Sequence, residues 1–450
     1  MRDLTRGSIT THILVMALPI AASLAVQQLN HLVDLYFVAQ LGQAALAGVA
    51  AGGNTMFLGL AVGQILSVGT VATVSHAAGQ KNRPQANLIL NQASALALFL
   101  SLGMWVIGAL ATSAYLTSMG LRPDGFEAGE VYLRWFVPSM ALQVVLATLG
   151  GALQGTGVVQ PTVIVQMASV AINAALTPIL VAGWGTGVAL GVEGAGLATF
   201  LSTVVGLALL VGYFVRFETY VSLQARQWRP QLPVMRRVLA IGTPAGGQFV
   251  LMFAFLAVMY AAIAVFGTAA QAGYGVGFRI MNAVFLPTMA ISFTVPAIAG
   301  QNFGAKDVSR MHETFWTAAT MSVGVMAIVT MLCQVGSEVP VRRFTQQPET
   351  LAVASEYLRI ISWNFVFVGI VFVCGGMFQA VGNTTPVLLT AAIRLGAFLL
   401  GMAWLKSRPD FYLEQVWYLS VATMVLQSAV SLVLLNRLLP TARPPRLGRR

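Results

Sequence analysis

Residues 12–38 read HILVMALPIAASLAVQQLNHLVDLYFV, an apolar segment with polar side chains near its middle. Its length exceeds the roughly 20 residues that a helix needs to cross a bilayer. Four polar side chains recur at helical spacing: Gln27, Asn30, His31 and Asp34. They would share one face of the helix. Because an ionisable group at membrane depth is costly and normally marks an ion or substrate path, the segment predicts a spanning helix with a functional polar stripe.

The composition of the whole chain is that of a membrane protein. Of its 450 residues, 57% are apolar and only 9% are charged, whereas soluble proteins carry about 25% charged residues. Apolar stretches of spanning length recur along it, which predicts an all-α polytopic membrane protein with twelve transmembrane helices. The predicted spans are residues 12–38, 44–77, 88–114, 131–155, 160–182, 193–215, 235–266, 270–299, 314–335, 355–381, 385–405 and 413–436.

The net charge of +11 is better explained by membrane orientation than by nucleic acid. The Lys and Arg residues are scattered among loops and do not form one basic face with aromatic residues, so we expect no nucleic-acid partner. With the N-terminus inside, most cationic residues fall in cytoplasmic segments. The positive-inside rule therefore predicts a multi-pass protein with both termini in the cytoplasm.

The two halves of the chain repeat one another at an offset of 225 residues. Matching pairs at this offset include Pro19 and Pro244, Gly42 and Gly267, Tyr132 and Tyr357, Gly150 and Gly375, and Pro161 and Pro386. A second, gapped match sets Gly79-Gln80 against Gly300-Gln301. Because each half has six spans, the copies share one orientation, as in transporters whose halves are related by an axis along the membrane normal. Such repeats predict alternating access.

The predicted domain boundaries follow this repeat. Residues 1–215 form an N-terminal lobe, 216–234 a cytoplasmic linker, 235–436 a C-terminal lobe and 437–450 a basic cytoplasmic tail.

The repeat is chemically asymmetric at Asp34, which faces Met259 and is the single acid deep within a predicted span. Desolvation favours the neutral form of a carboxyl group, whereas a bound cation favours the charged form. A proton and a cationic substrate would therefore exclude one another at Asp34, as an exchanger requires. The alternative is a structural carboxyl group, hydrogen-bonded between helices. For His31 a hydrogen-bonded structural role is favoured over a relay, since one imidazole has no ligand spacing.

Other groups within the spans point to no second chemistry. Arg279 and Arg394 could bind an anion in the C-terminal lobe, but snorkelling to a helix end or capping of carbonyl groups is favoured. Cys333 and Cys374 lie in apolar runs and indicate neither a disulfide nor a metal site. A membrane-embedded enzyme would need paired carboxylates, a metal cluster or a nucleophile with its base. We therefore predict no enzyme, no catalytic residue, no metal and no cofactor.

Several motifs resemble those of the multidrug and toxic compound extrusion (MATE) family over nearly the whole chain. They are Asp34-Leu35-Tyr36-Phe37-Val38-Ala39-Gln40-Leu41-Gly42, Gly79-Gln80-Lys81-Asn82, Gln154-Gly155-Thr156-Gly157, Gly194-Ala195-Gly196-Leu197-Ala198-Thr199 and Gly300-Gln301-Asn302-Phe303-Gly304. The resemblance implies two six-helix lobes around a V-shaped cleft and export of drug-like molecules, driven by H+ or Na+. It also implies a prokaryotic plasma (inner) membrane, and we expect a monomer.

The resemblance also implies a site in the N-terminal lobe. In DinF-like relatives a first-span Asp pairs with an Asn and an Asp on the fifth span and a Thr on the sixth. The matching positions here are Asp34, Asn173, Thr177 and Thr199. Thr177 replaces an acid by a hydroxyl group, which favours H+ over Na+. The seventh span lacks the acid of the NorM-like branch, so the chain resembles the DinF-like branch more closely.

The predicted function is therefore a multidrug efflux antiporter that exchanges amphipathic or cationic small molecules for protons. Asp34 is the expected coupling carboxylate, Gln27 and Asn30 join it in substrate binding, and Pro19 lets the first helix bend. A Na+-coupled antiporter and a lipid-linked precursor flippase of the same superfamily are the alternatives.

Overall fold

The computed structural model describes residues 1–439, apart from the side chains of His31, Leu32, Leu35 and Asn54. Most of the expected basic tail, residues 440–450, lies outside the described residues. The helices are α1 (Ile9–Ala39), α2 (Gln43–Gly79), α3 (Arg83–Ser118), α4 (Pro123–Gly155), α5 (Gln160–Ala182), α6 (Val192–Arg216), α7 (Leu232–Ile263), α8 (Thr268–Gly304), α9 (Val308–Gly336), α10 (Glu338–Val341), α11 (Pro348–Ile361), α12 (Asn364–Ala380), α13 (Thr385–Lys406) and α14 (Leu413–Leu438). Two 3₁₀ turns, Ala225–Trp228 and Ala264–Phe266, precede and follow α7.

Within residues 1–439, eleven helices are long and apolar enough to cross a membrane. The bent pair α11 and α12 supplies a twelfth span. The prediction of an all-α membrane protein with twelve spans is confirmed.

The tenth span, residues 355–381, was expected to be one helix and is instead broken. Its two parts, α11 and α12, meet at an angle of 55° near Ser362. Thr330 on α9 donates a hydrogen bond to the Ser362 carbonyl group at 2.9 Å, and Gln334 donates to the Arg359 carbonyl group at 2.6 Å. Side chains that bind backbone carbonyl groups, in place of the hydrogen bonds within the helix, are a known cause of sharp kinks. The neighbouring helix α9 therefore stabilises the break.

The duplication is visible in the helix boundaries. Pairs of helices begin 225 residues apart: α2 and α8 at Gln43 and Thr268, α3 and α9 at Arg83 and Val308, α4 and α11 at Pro123 and Pro348, and α5 and α13 at Gln160 and Thr385. Helices begin where caps and prolines allow, so equal spacing of four starts shows that the copies share their local sequence signals.

The connection from α2 to α3 is copied in the connection from α8 to α9. Lys81 and Lys306 both have left-handed backbone, with φ of 56° and 62°, and no other non-glycine residue in the described chain has a positive φ. The next residue caps the following helix in each copy, since Asn82 and Asp307 accept a backbone N–H at 3.1 and 3.0 Å. Two unusual backbone conformations at equivalent positions confirm the repeat at atomic detail.

The gapped match between Gly79-Gln80 and Gly300-Gln301 is wrong. α2 ends at Gly79 and its counterpart α8 ends at Gly304, so Gly300 lies one turn inside the helix. A Cβ atom on Gly79 would overlap the backbone of Gln301. The two motifs touch one another, and their similarity reflects the small residues that close helix contacts need.

The chain forms two compact units. The first contains Leu18–Val74 and Asn82–Phe253, and the second contains Arg2–Ala17, Ser75–Lys81 and the described residues from Ala254 to Leu439. This division differs from the expected boundary at residues 216–234. The reason is that α1, α2 and α7 are continuous helices whose two ends belong to different units.

In the first unit the beginning of α7 packs closely against α2. Gly242 lies against the carbonyl group of Ile65 and Gly246 against the side chain of Ile65, so a Cβ atom at either glycine would overlap them. Small residues of this kind let two membrane helices approach at backbone distance. The contact fixes the first turns of α7 within the N-terminal unit.

The second unit binds the residues that precede α1. The Leu4 N–H donates to Gln301 Oε1 at 3.0 Å, and Asn302 Nδ2 donates to the Leu4 carbonyl group at 3.3 Å. Arg310 donates to the Gly7 carbonyl group at 3.0 Å. Leu4 itself is fully buried. The start of the chain is therefore held at the end of α8.

Candidate functional site

The polar stripe of α1 meets α5 within the first unit. Asp34 accepts a hydrogen bond from Asn30 Nδ2 at 3.3 Å on one carboxyl oxygen. Its other oxygen lies 3.1 Å from the hydroxyl oxygen of Thr177. That hydroxyl group also lies 2.9 Å from the carbonyl oxygen of Asn173, one turn earlier on α5. Its single hydrogen therefore has two acceptors, one of which is Asp34.

Asn173 and Thr199 complete the group of expected site residues. The neighbours of the Asn173 amide determine its orientation. Its nitrogen donates to Asp34 Oδ1 at 3.1 Å, and its oxygen accepts from the Thr199 N–H at 3.2 Å. Thr199 Oγ1 donates to the carbonyl group of Ala195 in its own helix at 3.1 Å. The four residues from α1, α5 and α6 are thus brought together, with donor groups facing Asp34.

A cavity of about 320 Å³ lies beside this cluster, between α1, α2, α4, α5 and α6. That volume falls at the lower end of the range for small-molecule pockets. Among the expected residues, the lining includes Gln27, Asn30, Asp34, Asn173 and Thr199. Thr177 is absent from the lining and completely buried, so it contacts Asp34 from behind.

The cavity combines polar and apolar side chains. Within the described lining, Asp34 is the only charged residue. Tyr132 and Phe136 form part of the apolar wall and stack with ring centroids 4.9 Å apart, next to Met140. A space with one carboxyl group and aromatic walls suits an amphipathic cation.

Sequence reasoning missed three amide side chains of this cavity: Gln64, Gln143 and Gln166. Each is an isolated polar residue within an apolar span of α2, α4 or α5. A polar residue inside a span is itself the signal that could have found them, since such residues normally face the protein interior. The polar residues of α1 stand out in the sequence because they form a stripe that contains an acid, which these three glutamines do not.

Two further expectations concern α1. Pro19 lies inside this uninterrupted helix, one residue after the point where the first unit begins. Proline removes one hydrogen bond of the helical ladder, which lowers the cost of a bend there. The side chain of His31 lies outside the described residues, so the expectation about it stays a prediction.

Two bacterial drug-resistance proteins are similar in sequence over most of their length. The chain is 24% identical over 378 residues to "Probable multidrug resistance protein NorM" of Bradyrhizobium diazoefficiens, covering 82% of this chain and 81% of that protein. It is also 24% identical over 380 residues to "Multidrug export protein MepA" of Staphylococcus aureus, covering 83% and 82%.

The fold is shared with a solved transporter of the MOP superfamily from Pyrococcus furiosus Vc1, which is described as having a binding pocket of reverse polarity. The TM-score is 0.90 at 20% sequence identity, and 97% of each chain is covered. This likeness concerns the fold.

A family model decides the assignment. The model described as MatE matches twice, over residues 19–179 and 244–405. The two matches begin at Pro19 and Pro244, which are the first pair of the internal repeat, and together they cover most of the chain. The chain belongs to the MatE family, the multidrug and toxic compound extrusion transporters.

Proposed function

We propose that this transporter exports amphipathic or cationic small molecules in exchange for protons by alternating access, with Asp34 as the coupling carboxylate. One observation carries the proposal: Asp34 is the sole charge among the described residues that line the N-terminal cavity. A proton or a cationic substrate can neutralise it, and each excludes the other. Competition for one charge is the simplest coupling of two opposite fluxes.

The groups around Asp34 favour H+ over Na+. Hard cations need several oxygen atoms directed at one point. Here Asn30 and Asn173 turn amide nitrogens toward Asp34, and Thr177 supplies a hydroxyl group in place of a second acid. This arrangement supports a single carboxylate and offers few ligands to a metal ion.

Thr177 gives the proton a second effect. With Asp34 charged, its hydroxyl hydrogen is drawn to the carboxylate; with Asp34 protonated, the Asn173 carbonyl group 2.9 Å away remains as acceptor. Protonation then loosens the link between α1 and α5, and α1 bends at Pro19. A proton drives this change only because it binds the two conformations with different affinity.

The cavity also supports the proposed substrate class. Tyr132 and Phe136 offer aromatic faces, which attract organic cations, and Met140 supplies an adaptable apolar contact. Both bacterial relatives are named as multidrug proteins, which agrees with a wall that discriminates little between apolar shapes. We further propose a monomer in the prokaryotic plasma membrane, with both termini in the cytoplasm.

Transport in proteoliposomes tests this proposal. A fluorescent organic cation should move under a pure proton gradient and not under a pure sodium gradient, and Asp34→Asn should abolish the movement. Asp410→Asn removes an exposed acid outside the helices and is the matched control, expected to transport like wild type. Transport by Asp34→Asn at the wild-type rate contradicts the proposal, and movement under sodium alone supports the Na+-coupled alternative instead.

A further inference from the structure

The second unit contains a counterpart of the acid site, built from opposite chemistry. At the repeat offset, Asn30, Asp34, Asn173 and Thr177 correspond to Phe255, Met259, Phe398 and Met402. Ser169, which lines the N-terminal cavity, corresponds to Arg394. The first unit thus places an acid, Asp34, among amide side chains, whereas the corresponding region of the second unit places Arg394 among aromatic rings and thioethers.

Arg394 faces the interior of the second unit. It lies near the middle of α13, and Thr390, Phe398 and Met402, spaced by four residues around it on the same helical face, are all buried. Its guanidinium carbon sits 4.2 Å from the ring centroid of Phe255. The Phe255 ring in turn packs on Phe398 at 4.9 Å. The expectation that Arg394 caps carbonyl groups is wrong, since no described carbonyl group accepts a hydrogen bond from it.

Three more aromatic residues surround this position. Tyr274 and Tyr357 both lie close enough to the guanidinium group to interact with it electrostatically. Trp417 stacks on Tyr274 with centroids 5.9 Å apart and meets the edge of Tyr357 at 4.9 Å. All three side chains are almost completely buried. Arg394 therefore stands in an aromatic cluster.

The cluster contains donors without acceptors. Arg394 Nε and Trp417 Nε1 are enclosed and have no hydrogen-bond partner. Of the arginine nitrogens only Nε is fully enclosed, and the two terminal amino groups donate to no residue among the described part of the chain. The one ion pair among the described residues joins Arg342 and Glu338, so it does not involve Arg394. Arginine and tryptophan side chains only donate, so an acceptor is missing.

A negatively charged partner fits these donors best. Arg394 is only partly buried, and its terminal amino groups, which are not fully enclosed, carry a charge with no counter-ion among buried aromatic side chains; a second cation there would be repelled. An apolar ligand would leave the donors unsatisfied, and a neutral polar one would leave the charge. We propose that Arg394, with the aromatic cluster of Phe255, Tyr274, Tyr357 and Trp417, binds a monovalent anion, either chloride or the carboxylate of an aromatic acid.

This site is independent of proton coupling at Asp34, because the two residues lie in separate units. An inactive Asp34→Asn variant would leave anion binding intact. The two proposals can therefore fail separately.

Thermal unfolding of the detergent-solubilised full chain tests the anion site. Sodium gluconate, whose anion is large and strongly hydrated, is replaced stepwise by sodium chloride or sodium benzoate at constant sodium concentration. A ligand that binds only the folded state raises the unfolding temperature in a saturable way. We expect this rise in the wild type with at least one of the two anions. The anion that gives it identifies the source of the charge.

Arginine variants separate the site from general salt effects. Arg394→Gln should abolish the rise, and Arg394→Lys should weaken apparent affinity about tenfold or more, because lysine lacks the planar fork of donors. Arg279→Gln is the matched control, since Arg279 is an exposed arginine within α8. No saturable rise in the wild type, or an equal rise in Arg394→Gln, overturns the proposal.

A second measurement covers the case in which Arg394→Gln does not fold. Bromide quenches tryptophan fluorescence on contact, and Trp417 adjoins the proposed anion. The wild type should show a component that bromide quenches saturably, and Trp417→Phe should lack it. Saturable quenching that persists unchanged in Trp417→Phe contradicts the assignment, and so does its absence from a wild-type protein that chloride stabilises.

Discussion

Thr177 sets the chemistry of Asp34 without contacting the cavity. It is completely buried, and its hydroxyl group lies 3.1 Å from the carboxyl oxygen. A hydroxyl group contributes a hydrogen bond and no charge. Asp34 is thus supported while it is ionised, yet it competes with no second acid for a proton.

Removing the Thr177 hydroxyl group should weaken binding of cationic substrates. A hydrogen bond to a charged acceptor contributes about 1.5–3 kcal/mol, so Thr177→Val should lower the affinity for a cationic dye roughly tenfold or more. Thr177→Ser keeps the hydroxyl group and is the control. Fluorescence anisotropy of the dye with solubilised protein measures both.

The same assay shows whether the effect passes through Asp34. In an Asp34→Asn background, Thr177→Val should change dye affinity little, because the charged acceptor is already gone. Full additivity of the two substitutions would contradict the role given to Thr177.

At this scale the sequence predicted residues that carry a distinctive pattern. Asp34 stands out because it is an acid inside a span, whereas Asn173 and Thr177, which share a helical face, were expected only from the resemblance to the MATE family. Gln64 and Gln143 line the same cavity, but each is a single neutral amide within its span. Their role depends on how five helices pack, which one helix at a time does not reveal.

Among the elements, the broken tenth span shows the limit of local reasoning. The predicted span of residues 355–381 is uninterrupted in the sequence, and the bend lies where Thr330 and Gln334 of α9 bind carbonyl groups of α11 and the residue after it. Those two residues lie about 30 positions earlier in the chain. A tertiary contact thus overrides a helical pattern that is sound by itself.

The linker is also more structured than its composition suggested. Asn91 of α3 is completely buried and binds the linker with its whole amide. Its oxygen accepts from the Gln224 N–H at 2.7 Å and from Trp228 Nε1 at 2.9 Å, and its nitrogen donates to the Ser222 carbonyl group at 2.9 Å. Gln92 adds a bond from the Gln231 N–H at 2.7 Å. These hydrogen bonds hold the linker between the repeats against α3.

Loss of the Asn91 amide should detach the linker from α3. Asn91→Ala removes the hydrogen bonds to these three linker groups and a fourth to Gln227 Oε1 at 3.2 Å, at about 1 kcal/mol for each neutral hydrogen bond. Trypsin should then cut after the exposed Arg226 about tenfold faster or more, because cleavage follows the population of the opened state. Gln85→Ala, on the same helix but without a described bond to the linker, is the control. Equal cleavage rates of Asn91→Ala and wild type would show that Asn91 does not hold the linker.

For the whole molecule, the sequence predicted the plan well because the plan is repeated. Composition alone indicates the membrane class, and the pairing of Pro19 with Pro244 gives the register that the helix starts and the family matches confirm. The extents of the compact units were not predictable in the same way. They depend on which part of a long helix packs where, as at Gly242, whereas the apolar pattern marks only the helix as a whole.

The positive-inside prediction concerns the orientation of the whole chain. A membrane-impermeant maleimide should label Asp410→Cys in intact cells, and should label Arg226→Cys only after the cells are opened. Both positions are exposed, and the native Cys333 and Cys374 are buried, so wild-type protein gives the background. The reverse pattern would place both termini outside.

The division of α1 and α7 between the compact units has a consequence for the origin of the protein. The first helix of each repeat contributes its N-terminal part, residues 9–17 of α1 and 232–253 of α7, to the unit that is otherwise made mainly by the other repeat. An ancestor with one copy of this plan would have been a homodimer with exchanged N-terminal arms, because such swapping completes each subunit with a segment of its twin. Gene fusion would then have made the exchange permanent within one polypeptide. Cutting the chain at residues 216–234 should accordingly yield two fragments that each lack a piece and fold only together.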